Sequence, residues 1–305
     1  MPSPEPSVPA TARPLDAVAL GRVQRRLLSA AQPPWLHGEV ARRMARRLPV
    51  VRLQPQRVAD WGAFLGASHE LLAQAYPRAR VMAVEADAAR RDATAAALVR
   101  PWWSPRRWSS VVSVVTEREV GAGQVQLLWA NMGLHGAIDP AAVLRQWHRA
   151  LAVDGFLMFS TLGPGTLTRL RSVYTHQGWA TPFAPFVDMH DLGDLLVEAG
   201  FADPVMDQET VTLTWASATA LLDELRTLGG NVATGRHAGL RTPRWRRRLL
   251  DALAATAAAD GRVALDFEVV YGHAFRPPPR PRLAARTEVP LDDMRAMARA
   301  GRKAG

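Results

Sequence analysis

Cysteine is absent from the 305 residues, and Lys303 is the only lysine among 38 basic side chains. The first absence excludes disulfides, thiolate metal ligation and a cysteine nucleophile, and it accords with a reducing cytoplasmic setting. No run approaches the roughly 20 consecutive apolar residues of a membrane helix. The opening MPSPEPSVPATARPL lacks the apolar core of a secretory signal. With 48% hydrophobic and 22% charged residues, the chain has globular proportions and enough material for one large α/β domain or two small ones. The formal net charge of +10 is carried almost wholly by arginine. It reads either as the imprint of a GC-rich genome or as a field that attracts an anionic partner, RNA or an acidic carrier protein. Composition does not choose between them.

Residues 1–14, rich in Pro and Ser, and the tail from 276, which runs into PPPRPRLAAR, are expected to be disordered. Between them strand-length apolar runs alternate with helix-length segments. RVADW (57–61), RVMAVEA (80–86), VVSVV (111–115), VQLLWAN (125–131) and GFLMFST (155–161) read as strands. Segments 68–76, 87–99 and 139–151 read as helices, the last with Asp139 as cap and Pro140 as first residue. This alternation predicts a parallel sheet with helices on both faces. Further on, 186–200 reads as a helix with a glycine stop, and VTLTW (211–215) as a half-buried strand. Helices at 218–228 and 243–259 precede a closing strand, DFEVVYGHAF (266–275), and form an insertion placed to cover a site.

In open α/β sheets, ligands bind at the carboxyl ends of the strands, where the first turn brings backbone close to a cofactor. Here the first strand ends in DWGAFLG (60–66), and glycine tolerates the close approach and positive φ of such turns. Glu85 ends the second strand, where a carboxylate can accept hydrogen bonds from ribose hydroxyls. The same stretch resembles the D-x-G-x-G-x-G motif of S-adenosylmethionine-dependent methyltransferases, matching at Asp60, Gly62 and Gly66 with Phe64 at the middle glycine. VVYGHAF, FVDMHDLGDLLVEAGFADPVMD, FSTLGPGTLTRLR and WANMGLHGAIDPAAVLRQWHRAL are similar to segments of the malonyl-acyl-carrier-protein O-methyltransferases of biotin synthesis. The likeness spans roughly 22–275.

The resemblance implies an α/β, Rossmann-like class I methyltransferase fold: a mostly parallel seven-stranded sheet, helices on both faces, and a helical insertion before the last strand. It implies an N-terminal helical lid at 15–50, a methyltransferase domain at 51–275 with the insertion at about 217–262, and flexible tails. The activity implied is methyl transfer from S-adenosylmethionine to the free carboxylate of malonyl carried on acyl-carrier protein. Asp60, Gly62, Gly66, Glu85 and Glu117 would then surround the cofactor, Glu117 standing in for the acid that follows the third strand. Other departures from the family pattern are Gln126, where an Asp opens the fourth strand, and the shortened lid segment 29–40, where Trp35 is the nearest aromatic to a missing Tyr-Asp pair. These departures keep a second reading open, a catalytically inactive relative that binds a carrier protein or enzyme, and an RNA methyltransferase is a third.

Individual residues carry paired readings. Asn131, ending the fourth strand, is a candidate catalytic or positioning group. His190 with Asp188 either orients the malonyl head group or caps a helix. Tyr271 and His273 share one face of the last strand and serve either the substrate pocket or the core. Arg244, Arg247 and Arg248, in RTPRWRRRLL (241–250), form either a solvated helix face or a dock for an acidic carrier protein. Nucleic acid is the weaker rival there, since no RNA-binding module accompanies them.

Overall fold

The computed structural model describes residues 12–30, 32–98 and 113–279. The expected tails at 1–11 and beyond 279, the start of the VVSVV run, and Val99 at the end of a predicted helix lie outside the described residues. Two helices come first, α1 (Ala17–Leu28) and α2 (Trp35–Ala45). Asp16 caps α1, its Oδ1 accepting the Val18 and Ala19 N–H groups at 2.9 Å each. There follow β1 (Arg57–Trp61), the one-turn α3 (Ala63–Gly66), α4 (His69–Ala75), β2 (Arg80–Glu85), α5 (Ala88–Leu98), β3 (Ser113–Thr116) and β4 (Val125–Ala130). The second half comprises α6 (Pro140–Ala150), β5 (Leu151–Leu162), α7 (Thr168–His176), α8 (Met189–Glu198), β6 (Ala202–Trp215), α9 (Ala218–Leu228), α10 (Pro243–Ala254) and β7 (Val263–Phe275).

The seven strands form one sheet in the order β3-β2-β1-β4-β5-β7-β6. The first five pair in parallel, and β7 runs antiparallel to both β5 and β6. This is the expected mostly parallel sheet, with α9 and α10 inserted before the last strand. Side-chain alternation builds a core on each face. Val58, Leu127, Trp129, Phe156 and Phe267 face α2, α4, α7 and α10. Ala59, Leu128, Ala130, Leu157 and Phe159 face α6 and α8. Each fully buried Leu or Phe contributes roughly 1.5–3 kcal/mol relative to exposure, so the two layers dominate the stability. β7 passes so close to its neighbour that a Cβ at Gly272 would lie 2.3 Å from the Phe159 ring. Only glycine fits there.

The helix expected at 243–259 ends at Ala254, and Leu151, expected to end a helix, opens β5. Three further features differ from expectation. α7 buries only Leu170 and Val173 and has no side-chain cap, so neither periodicity nor a start signal marks it. β6 begins nine residues before VTLTW because it is an edge strand, paired only with β7, whose early residues are mostly polar or exposed. Arg13 and Pro14, expected in a disordered tail, are pinned: the Arg13 N–H donates to Ile138 O at 2.8 Å, and Pro14 O accepts from Thr234 N–H at 3.1 Å. No described helix is long and apolar enough to cross a membrane.

Candidate functional site

At the end of β1, Gly62 adopts the left-handed conformation (φ 70°, ψ 42°), and its N–H donates to Val84 O at 2.8 Å. The turn therefore needs glycine at this position. Glu85, ending β2, reaches into the same turn. Its Oε1 accepts the Phe64 N–H at 2.9 Å and the Thr94 hydroxyl at 2.7 Å. Burial raises the Glu85 pKa, and these two bonds oppose the rise. Glu117, immediately after β3, accepts from Trp61 Nε1 at 2.9 Å and from Gln146 Nε2 at 3.3 Å. Gly62, Glu85 and Glu117 all line one cavity of about 760 Å³ at the carboxyl ends of the strands.

The two other motif residues lie behind that wall. Asp60 is fully buried and absent from the cavity lining. Neither of its carboxylate oxygens has a hydrogen-bond partner. Desolvation, helped by the nearby Glu85 charge, pushes its pKa up to about 8. Gly66 also stays off the lining and packs against Asn131. Phe64, which occupies the middle glycine position, contributes its backbone N–H to Glu85 while its half-buried side chain stays out of the cavity. The turn accommodates the aromatic without narrowing the room. Gln126 lies at the opposite end of the sheet, where its Oε1 accepts the Gln56 and Arg57 N–H groups at 2.6 and 3.2 Å.

Asn131 lines the cavity, but its amide is fully engaged. Nδ2 donates to His37 O at 2.8 Å and to Gly66 O at 2.7 Å, while Oδ1 accepts the Ser160 hydroxyl at 2.7 Å. It ties α2, the first turn and β5 together, which makes it a clasp for the walls rather than a group free to act on a substrate. Met132, next to it, holds a positive φ of 52°, a strained conformation for this residue that is seen mostly at functional sites. Two histidines line the cavity beside it. His37 Nδ1 lies 2.8 Å from Leu65 O, and its ring meets that of His135 edge-on at 6.4 Å. Burial lowers their pKa values to about 4 and about 3, so both are neutral near pH 7.

The roof comes from α1 and from the inserted helices α9 and α10. Leu20 and Leu27 of α1, Leu222 and Leu225 of α9, and Trp245 and Leu249 of α10 line the apolar part. A strap at residues 12–16 crosses the edge, with Leu15 bridged to Ala233 and Asp16 ion-paired to Arg236 at 2.6 Å. Trp35 Nε1 donates to Glu224, which joins α2 to α9. The arginine run divides here. Arg241 and Arg246 line the cavity, whereas Arg244, Arg247 and Arg248 are exposed and outside it.

Several expected site residues are not brought to this cavity. His190 is 84% exposed and bonded to Asp188 Oδ1 at 2.9 Å, and Asp188 is the N-cap of α8. The pair serves the helix end. Tyr271 is buried on β7 and donates to Glu209 at 2.5 Å beneath the Arg47 guanidinium, 3.8 Å from its ring centre. His273 packs against Phe156, with ring centroids 5.5 Å apart. Neither lines the cavity. The residues missed by sequence reading are Arg13, His37, His135 and Met132. A lone His or Arg in a helix or tail gives no local signal of what the fold sets beside it.

No family model matches the chain. Among solved structures, the BH2331 protein of Bacillus halodurans superposes with a TM-score of 0.53 at 15% identity, covering 77% of this chain and 98% of that one. The YcgJ protein of Bacillus subtilis gives 0.51 at 9%, with the same coverage. Both likenesses concern the fold. The malonyl-acyl-carrier-protein O-methyltransferase of Laribacter hongkongensis is 39% identical over 254 residues, 81% of this chain and 84% of the relative. That of Halorhodospira halophila is 38% identical over 268 residues, 84% and 87% of the two chains. That of Gallionella capsiferriformans is 36% identical over 250 residues, 80% and 85%. With the fold, the glycine turn and identity sustained over four fifths of its length, the chain belongs to the malonyl-acyl-carrier-protein O-methyltransferase family.

Proposed function

We propose that the chain transfers a methyl group from S-adenosylmethionine to the free carboxylate of malonyl carried on acyl-carrier protein, in the cytoplasm, toward the biotin precursor. The carrying observation is one cavity that joins the Gly62 turn, Glu85 and Glu117 to a roofed apolar room large enough for two reactants. The donor set suits the cofactor. Both bonds to Glu85 fall on Oε1, which leaves Oε2 for ribose hydroxyls. Gly62 offers backbone without a side chain, and the Glu85 and Glu117 carboxylates favour a cationic guest. Bound there, the cofactor supplies the methyl group, the new oxygen–carbon bond forming as the carbon–sulfur bond breaks and the electron pair remains on sulfur.

The chain's own residues have a positioning task, because an ionised carboxylate needs no base and a sulfonium needs no acid. Alignment and exclusion of water then account for catalysis. Asn131 keeps the walls in register, and neutral His37 and His135 add no positive charge to repel the sulfonium. In this reading 15–50 is the lid, 51–275 the catalytic domain, and about 217–262 the inserted cover. The exposed Arg244, Arg247 and Arg248 meet the acidic carrier protein. The test is to incubate the protein with S-adenosylmethionine and malonyl-carrier protein and to follow the methyl ester by mass spectrometry, beside calorimetric titration with the cofactor and its demethylated product. Methylation of malonyl-carrier but not acetyl-carrier protein is expected. Absence of both cofactor binding and product would return the chain to the reading of an inactive relative.

A further inference from the structure

We propose that Arg13, on the N-terminal strap, is the side chain that receives the acceptor carboxylate in the cavity. The proposal rests on the methyl-transfer reading of this site and adds the residue that recognises the substrate's charge. Arg13 lines the cavity. Its backbone is fixed by the bond to Ile138 O at 2.8 Å, and its guanidinium donates to His135 O and, at 2.6 Å, to Pro185 O. Those are carbonyl oxygens. Among the described residues no carboxylate lies within ion-pair distance of Arg13, although Asp16, three residues on, is paired with Arg236. The carboxylates of the cavity are Glu85, Glu117 and the exposed Asp223, and the first two are held by other donors.

A guanidinium carries five N–H donors in a planar fork. Two are used on carbonyls, so three remain for a ligand. The cation is also partly stripped of water, and burial lowers its pKa to about 10. The other arginines of the lining are engaged or exposed: Arg90 lies 3.3 Å from Asp87, Arg241 stacks over Trp245 at 4.3 Å, and Arg226 and Arg246 are exposed. A desolvated cation with unused donors and no counter-charge, beside neutral His135, fits a small anionic group. The acceptor of this reaction is a carboxylate. One oxygen held by Arg13 leaves the other free to take the methyl group.

The experiment compares malonyl-pantetheine, which carries the carboxylate, with acetyl-pantetheine, which does not, by calorimetry with S-adenosylhomocysteine saturating. The unmodified protein is expected to prefer the malonyl probe. In Arg13→Gln that probe should lose roughly 10–100-fold in affinity, as for a charge-assisted hydrogen bond. Acetyl-pantetheine and S-adenosylhomocysteine should bind as before, and Arg13→Lys should recover part of the preference. In turnover, KM for malonyl-carrier protein should rise more than kcat falls. Equal loss for both probes would overturn the proposal in favour of a purely structural strap, and so would an unchanged preference in Arg13→Gln. Failure of the unmodified protein both to bind either probe and to methylate malonyl-carrier protein would overturn the methyl-transfer reading as well.

Discussion

At Glu85 a single oxygen, Oε1, accepts both the Phe64 N–H at 2.9 Å and the Thr94 hydroxyl at 2.7 Å. Position and function can therefore be separated by mutation. Glu85→Ala should weaken cofactor binding roughly 10–100-fold, the loss of an acceptor from buried hydroxyls. Thr94→Val should lower the melting temperature and leave cofactor affinity in place, since Oε2 is untouched. Calorimetry beside a thermal melt reads both. Equal affinity for Glu85→Ala and the parent would move the ribose site elsewhere. Phe64→Gly has a different expected outcome. The side chain stands outside the cavity, so its removal should give no gain in cofactor affinity, while glycine in the short α3 should cost about 1 kcal/mol. A marked gain in binding would show that Phe64 enters the approach path.

Among the elements, α10 makes the clearest division of labour. Trp245, Leu249 and Leu253, four residues apart, turn inward as helical periodicity dictates. Trp245, Leu249 and Arg246, with Arg241 just before the helix, line the cavity, and Arg244, Arg247 and Arg248 are left outside. Arg248 keeps one bond, to Gln177 Oε1 at 3.1 Å. Replacing Arg244, Arg247 and Arg248 together with Glu should slow association with acyl-carrier protein. High salt should slow the parent in the same direction. Exposed pairs are individually worth only about 0–1 kcal/mol, so no single arginine should dominate. Cofactor affinity should not change. Stopped-flow association at low and high salt tests this, and equal rates for parent and variant at low salt would reduce the patch to a solvated helix face.

For the whole molecule, buried titratable groups set opposing slopes of stability with pH. His37 and His135 have folded pKa values of about 4 and about 3, below their ordinary 6.5. The unfolded chain binds protons that the folded one does not, so their contribution is complete above pH 6.5 and is lost as pH falls below it. Asp60 behaves oppositely. With its pKa raised from 3.8 to about 8, the folded chain holds a proton that the unfolded chain has released. Its contribution is full below pH 3.8 and is lost as pH rises toward 8. Glu85 is shifted in the same sense. Each net proton changes stability by about 1.4 kcal/mol per pH unit. Two histidines outweigh one aspartate on the acid side, so denaturant titrations without ligand should show maximal stability near neutrality with losses both ways. Asp60→Asn should flatten the alkaline limb and steepen the acid one, where Asp60 no longer offsets the histidines. An unaltered alkaline limb in that variant would mean that Asp60 is ionised in the fold.

Local pattern in the sequence determined much of this molecule. The RVADW strand, the Asp139–Pro140 helix start and the glycine at 62 follow from alternation, capping and the φ that a tight turn demands, all settled by near neighbours in the chain. So does the meeting of Gly62 and Glu85, because adjacent parallel strands align their carboxyl ends. What only the tertiary structure decided depends on pairs far apart. Asn131 was legible as a polar residue at a strand end, but its two donors are spent on His37 and Gly66, 94 and 65 residues away. His190 and Tyr271 looked like site residues by type and spacing, yet one bonds within its own helix cap and the other joins an ion-pair cluster on the far strands. Arg13 sits in a segment whose composition reads as a tail. It becomes part of the cavity because carbonyls at 135, 138 and 185 converge on it, and no local pattern encodes the burial that strips a cation of water and leaves it without a counter-charge.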